Sequence, residues 1–266
     1  MDRLSTNNKH YLQKCKTNKE HHSADALYHV HMGSFDLIYP PTCAGCGCLG
    51  PQICTKCAKD MKEVTGNQCL TCGNNNADIS KPCVHCVGRR DDLSVMSFWQ
   101  YESVVARAVW EFKYKKNKEV LLELCFRTPT KRAAEMLRYR AENNTSALVP
   151  IPLHPKREHE RGYNQSLIFA HSLGELLGIP VVCGAVARTK ETTPQAQCRS
   201  RQQRLNNIYG AFSVVKPHLL AGKTILLVDD VVTTGLTVRE VVRELKKHRL
   251  TWGHTICLAR EEENTK

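Results

Sequence analysis

Residues Ile225 to Thr237 read ILLVDDVVTTGLT, and this stretch decides the fold. The run from Thr224 to Asp230 opens it with residues apolar on both faces, the pattern of a strand inside a parallel sheet that is covered on either side. Beyond it, Val238, Val241, Val242 and Leu245 recur at i, i+3, i+4 and i+7, which is the single apolar stripe of an amphipathic helix. Asp229 and Asp230 are thereby delivered to the carboxyl end of the strand, where open α/β sheets bind their ligands. Adjacent carboxylates raise one another's pKa unless donors or cations compensate them, and the two hydroxyls of a sugar cis-diol are donors at a suitable separation. Thr233, Thr234, Gly235, Leu236 and Thr237 then run into the helix. Their hydroxyls, a glycine that permits close backbone approach, and free N–H groups at the positive end of the helix make a cradle for a monoester phosphate. The stretch is neither a Gly-x-Gly-x-x-Gly turn nor a P-loop, since the P-loop lysine is missing and acids precede the cradle. Acids for a ribose diol beside a cradle for its 5-phosphate describe a phosphoribosyl group.

Working outward, Ser94 to Tyr101 reads as a strand, followed by helical patterns over Glu102 to Lys115 and Lys118 to Arg140, the second broken near Pro129. ALVPIPL (Ala147 to Leu153) is a strand, KREHERGYNQ (Lys156 to Gln165) a loop, and the helix from Ser166 is ended by Gly178 and Pro180. Ile179 to Val186 is the next candidate strand, Arg188 to Asn207 is a polar stretch in which no strand fits, and short and long strands follow near Gly210 to Val215 and at Trp252 to Ala259. Strands alternating with amphipathic helices give an α/β class: a parallel sheet flanked by helices.

The chain has 266 residues, 41% hydrophobic and 24% charged, and no stretch approaches the roughly 18 apolar residues of a membrane span. Membrane insertion and global disorder are excluded on this reading. The net charge is +12, and most of it falls after Arg90, which suits phosphate-bearing partners, whether nucleotides or nucleic acid. The cations between Lys113 and Arg140 read as a solvated helix face in preference to a nucleic-acid patch.

Fourteen cysteines would suit a secreted disulfide scaffold, but the start MDRLSTNNKHYLQKCK lacks the apolar core of a signal peptide, so the cytoplasm is expected. The pairs Cys43/Cys46, Cys54/Cys57, Cys69/Cys72 and Cys83/Cys86 each have Cys-x-x-Cys spacing. Such a turn aims two thiolates at one centre, and two turns complete the tetrahedron of a structural zinc. One or two zinc ions are expected, with the first four cysteines forming one set and the last four another; a cross-brace of alternate pairs is the rival arrangement. His85 reads as a bystander, and Cys15, Cys48, Cys125, Cys183, Cys198 and Cys257 as small buried hydrophobes or bystanders. The boundaries that follow are a disordered tail over 1–34, with five histidines and a second possible start at Met32, a cysteine-rich zinc module over 35–90, and the α/β domain over 91–266.

The thirteen residues from Ile225 resemble the phosphoribosyl pyrophosphate (PRPP) motif of type I phosphoribosyltransferases. Together with the four cysteine pairs, PIPLHPKREHERGYNQS (Pro150 to Ser166) and RTKETTPQAQCRSRQQRLNN (Arg188 to Asn207), they resemble the ComF family, also called GntX-like, of competence and DNA-utilisation proteins. Cys198 departs from the leucine-like residue expected at its position. The resemblance implies that Asp229 and Asp230 sit against the ribose hydroxyls in the catalytic centre, and that Thr233 to Thr237 wrap the 5-phosphate. It implies that Lys156, Arg157 and Arg161 form the pyrophosphate loop, working with Mg²⁺ to stabilise the leaving group, and that Arg188, Lys190 and Gln195 belong to a hood closing over PRPP. The activity implied is transfer of phosphoribosyl to a nucleobase or amine, linked to DNA uptake or reuse of nucleic-acid components. The rival reading is a competence factor or adaptor that handles single-stranded DNA or docks on a DNA-translocation protein, with PRPP a regulatory ligand or absent.

Overall fold

The computed structural model describes residues 40–76, 83–86, 93–143, 146–192 and 200–261. The predicted tail over 1–34, together with Gln195 and Cys198, lies outside them.

Apolar strands assemble as the patterning dictates. β3 (Ser94–Gln100), β4 (Ser146–Pro150), β7 (Thr224–Val232) and β8 (Thr251–Arg260) are the parallel strands, and β1 (Asn67–Cys69) and β2 (Asn75–Asn76) extend the sheet antiparallel, in the order β2-β1-β3-β8-β7-β4. Side chains of β7 alternate between two cores. Leu226 and Val228 enter the core made with α2 (Ser103–Tyr114), α3 (Lys118–Phe126), α4 (Thr130–Glu142) and α6 (Gln165–Leu177), whereas Ile225 and Leu227 enter the one made with α8 (Leu236–Lys247). This is the double cover that a strand apolar on both faces requires. By the same alternation Asp230 falls on the α2 side.

The break near Pro129 separates α3 from α4, as read from the sequence. Two expectations are corrected, and a third stretch is filled in. The loop KREHERGYNQ contains a helix, α5 (Pro155–Arg161), started by Pro155 in its first turn and stopped by Gly162 at φ 86°. Ile179 to Val186 is not a strand: Val181 makes an isolated bridge to Leu148, and β5 (Val186–Arg188) pairs antiparallel with β6 (Phe212–Val214) in a second sheet. The polar stretch up to Asn207 includes α7 (Arg201–Ile208), whose cap is Ser200, its Oγ accepting from the N–H of Gln203 at 3.1 Å.

The cysteine-rich segment, with α1 (Thr55–Lys59), does not stand apart. β1 pairs with β3, and the described residues from Pro41 onward form one compact unit.

Candidate functional site

β7 carries Asp229 and Asp230 into the structure nearly closed to solvent, at 9% and 4% exposure. Asp229 Oδ1 accepts from Ser166 Oγ and from the N–H of Asp230, each at 2.9 Å. Asp230 Oδ1 accepts from the N–H of Val231 at 2.8 Å, and its Oδ2 lies 2.7 Å from Lys113 Nζ at the end of α2. The two acids are thereby driven apart electrostatically. Burial, and then the charge of Asp230, push Asp229 up to about 7, against the opposing pull of Lys113, the Asp230 N–H and Ser166. Burial acts in the same sense on Asp230, but the Lys113 ammonium and its hydrogen bond outweigh it and hold that carboxyl below the usual range. The two neighbouring acids are thus shifted in opposite directions, Asp229 up and Asp230 down.

Past the end of β7 the chain bends through Thr233 and Thr234 to Gly235, which caps α8 at φ 68°, with Leu236 and Thr237 in the first turn. The Oγ1 of Thr234 is buried without a hydrogen-bond partner. A left-handed glycine, an unpartnered buried hydroxyl and the amino end of a 12-residue helix fit an anion.

The cations predicted for the pyrophosphate loop (Lys156, Arg157, Arg161) and for the hood (Arg188, Lys190) divide. Arg161, ending α5, has Nη1 buried without a partner; burial lowers its pKa while Asp230 draws it back up. Arg157 donates through Nη2 to the carbonyl of Thr192 at 3.3 Å. Arg188, on β5, donates to Thr192 Oγ1, lies 5.3 Å from the Phe212 ring centroid, and has Nε buried and unpartnered. Burial and the neighbouring Arg157 lower its pKa to about 10, with Asp229 opposing, so it stays charged at neutral pH. Lys156 turns instead to an exposed ion pair with Glu191 at 2.8 Å, and Lys190 donates to the carbonyl of Asn206 at 3.2 Å. A groove of about 480 Å³ between α7 and α8 shares only Leu236 with the predicted site residues.

The cysteines gather into two sets, Cys43, Cys46, Cys54 and Cys57, and Cys69, Cys72, Cys83 and Cys86, with the sulfurs of each within 4.8 Å of one another. This is the sequential pairing; the cross-brace is not formed. Sγ atoms stand 3.7 Å apart for Cys46 and Cys54, 3.8 Å for Cys69 and Cys86, and 3.6 Å for Cys72 and Cys83. Thiolates about 2.3 Å from a central zinc would be about 3.8 Å apart, so the donor sets fit that ion. Donors surround them: the N–H of Cys54 reaches Cys43 Sγ at 3.3 Å, and Asn74 Nδ2 reaches Cys72 Sγ at 3.5 Å. Burial works against ionising Cys43, but backbone N–H groups of Cys54, Cys46 and Gly45 bring it down to about 6. His85 is exposed and outside both sets.

Residues 164–266 match the family model described as the phosphoribosyl transferase domain, and residues 34–87 the double zinc ribbon domain. The chain carries a phosphoribosyl transferase domain behind a double zinc ribbon. A relative from Salmonella typhimurium, named DNA utilization protein YhgH, is 27% identical over 209 residues, covering 78% of this chain and 90% of its own length. Competence protein F of Haemophilus influenzae is 28% identical over 203 residues, 73% of this chain and 84% of its own. The resemblance to ComF proteins drawn from the motifs therefore holds. Among solved structures, the allosteric regulatory enzyme of purine biosynthesis aligns with 48% of this chain and 24% of its own, at 18% identity and a TM-score of 0.29.

The matched phosphoribosyl transferase span holds the acids, the threonine bend, Ser166 and Arg188; Lys113 and α5 lie before it. Sequence reasoning assigned no role to Lys113 or Ser166. A signal for Lys113 was present: it continues the i, i+4 row of Val105 and Val109, both buried on α2. No helix among the described residues is long and apolar enough to cross a membrane.

Proposed function

We propose that the phosphoribosyl transferase domain binds PRPP and transfers its phosphoribosyl group to a nucleobase or other amine. The observation that carries this is the continuous run on β7 and α8: a nearly buried carboxyl pair followed at once by a left-handed glycine, the unpartnered Thr234 hydroxyl and a helix amino end. In this reading Asp229 and Asp230 accept from the ribose hydroxyls, and Thr233 to Thr237 hold the 5-phosphate. Arg157, Arg161 and Arg188 face the pyrophosphate. Arg161 and Arg188 each have a buried nitrogen without a partner, which is donor capacity ready for an anionic ligand. Lys156 and Lys190, turned to other partners, are left out of this set.

In the reaction, a nitrogen lone pair of the acceptor forms a bond to C1 of the ribose as the bond from C1 to the pyrophosphate oxygen breaks. The bonding electrons leave with pyrophosphate, and the acceptor gives its proton to solvent. Fixed guanidinium groups stabilise the charge that grows on the leaving group more than they stabilise the ground state. Mg²⁺, carried with PRPP, would add positive charge there. Asp229 is the oxygen donor the chain offers it, having no cation within ion-pair distance among the described residues. Zinc in both tetra-cysteine sets would be structural, since four thiolates leave no open position.

Calorimetric titration with PRPP and Mg²⁺ tests the reading. The parent chain gives a saturable isotherm and Asp229→Ala/Asp230→Ala gives none; equal isotherms refute the assignment. Pyrophosphate release across a panel of bases then reports turnover.

The names of the relatives, competence protein and DNA utilization protein, support a link to DNA uptake or to reuse of its components. One observation favours direct handling of single strands: Trp110 and Tyr114 are exposed with ring centroids 6.1 Å apart, and Lys115 Nζ lies 5.2 Å over the Trp110 ring. Exposed aromatics among lysines suit base stacking. Single-stranded DNA binding that survives the double acid mutation would favour this second reading.

A further inference from the structure

A residue held between two cysteines of the second set, Leu70, lies against the bend at Gly235. Leu70 lies between Cys69 and Cys72, both members of that set. Its N–H donates to the carbonyl of Leu93 at 2.6 Å, which fixes it to the chain entering β3. Its carbonyl accepts from Arg239 Nη2 on α8, one turn past the cradle. Its side chain is half-buried against the core that contains Leu236 and Val238. A Cβ added at Gly235 would stand 2.7 Å from Leu70 Cδ1 and 3.2 Å from Cδ2. Gly235 is held to glycine by its φ of 68°, and the Leu70 side chain lies close against it. The other set packs elsewhere: the carbonyl of Gly45 accepts from Arg107 on α2, and that of Ile53 from Arg127 at the end of α3 at 3.1 Å.

From this contact we propose that Leu70 is a positioning residue for the bend over Thr233 to Thr237, and that metal occupancy of the second cysteine set, not the first, governs how well that bend is ordered. The physical link is short. A metal bound by Cys69 and Cys72 fixes both ends of the turn that carries Leu70, and Leu70 with Arg239 fixes the backbone at Gly235. Without the metal the turn is free to move, and the bend loses the wall that selects its left-handed conformation. Order in the bend is what a phosphate ligand needs, because a preformed cradle spends no binding energy on closing. The effect on ligand affinity rests on the phosphoribosyl reading; the effect on order does not.

Amide hydrogen exchange on the full chain tests this in the absence of ligand. Leu70→Ala is expected to raise exchange rates in segment 233–239 about tenfold, while α3 exchanges as in the parent, and Leu70→Met restores the parent rates. Cys86→Ser, which opens the second set, is expected to act as Leu70→Ala does, and Cys46→Ser to leave the segment unchanged. Parent-like protection in both Leu70→Ala and Cys86→Ser would overturn the proposal, as would equal loosening by Cys46→Ser and Cys86→Ser. PRPP titration of the same variants separates the two readings. A parent chain that gives no heat with PRPP defeats the phosphoribosyl assignment and leaves exchange to judge Leu70. A parent that binds, with Leu70→Ala binding about tenfold more weakly, supports both.

Discussion

Asp230 is tolerable where it lies because one ammonium is beside it. With side chains only 6% and 23% exposed, Asp230 and Lys113 form a pair in which removing one partner strands the other. Lys113→Met is therefore expected to destabilise the chain by about 3–5 kcal/mol, and Lys113→Met/Asp230→Asn to recover much of that loss, as read by urea denaturation. A loss under about 1 kcal/mol would mean that water already screens the pair. Asp229 gives the opposite sign. Its carboxyl, ordinarily near 3.8, is raised to about 7, so between those values the folded chain holds a proton that the unfolded chain has released. Its contribution to stability is complete below the lower value and is lost as pH rises through the upper one. Asp229→Asn is expected to melt higher than the parent at about pH 8, with the gain shrinking toward about pH 4; a pH-independent difference would contradict the shift. The acids were legible because a fully apolar strand ending in two carboxylates is a local pattern. Lys113 was not, because on α2 it reads as one more solvated cation until the topology sets that helix against the face of β7 that carries Asp230.

Elements were legible in proportion to their apolar content. β7 and α8 announce themselves, one apolar on both faces and the other by its stripe. α5 has no buried residue, so no periodicity marks it. Its punctuation did exist: Pro155 opens it and Gly162 closes it in the left-handed conformation, donating its N–H to the carbonyl of Glu158 at 2.7 Å. The same logic explains the misplaced strand. Ile179 to Val186 has strand-like residues, yet beyond β4 they meet only a single bridge at Val181, and pairing begins at Val186 with β6 instead. Since Gly162 separates α5 from the Asn164 cap of α6, its conformation sets where Arg161 and Ser166 point. Nothing lies within 4 Å of a Cβ built at Gly162, so Gly162→Ala carries only a backbone penalty, on the order of 1 kcal/mol. A correspondingly small fall in melting temperature is expected, with a larger loss of PRPP affinity if Arg161 is displaced. An unchanged melting temperature would show that the turn adopts another conformation freely.

Across the whole molecule, the basic character resolves partly into internal clamps. Arg107 donates to the carbonyl of Gly45, Arg127 to that of Ile53, Arg132 to that of Gly66 and to Asn67 Oδ1, Arg239 to that of Leu70, and Arg260 to Asn75 Oδ1. Each runs from the α/β framework to the cysteine-rich segment. The expectation of a solvated face between Lys113 and Arg140 is corrected for Lys113, Arg127 and Arg132, the last only 2% exposed. The spacing of the cysteines revealed the two metal sets, but carbonyls that accept from distant arginines leave no trace in local pattern, which is why the docking was hidden. The zinc ribbon is thus bound into the framework by β1 on β3 and by guanidinium groups, so its loss cannot be a private event. Stripping metal with a strong chelator is expected to lower the melting temperature of the entire chain in one cooperative transition, with tryptophan fluorescence and far-ultraviolet dichroism changing together. Arg132→Ala, which leaves the carbonyl of Gly66 short of a donor, is expected to cost about 1–3 kcal/mol and to speed zinc release by the same chelator. A chelated chain that melts in two steps, the later one at the parent's temperature, would instead make the ribbon an independent appendage whose arginine contacts contribute nothing to the stability of the sheet.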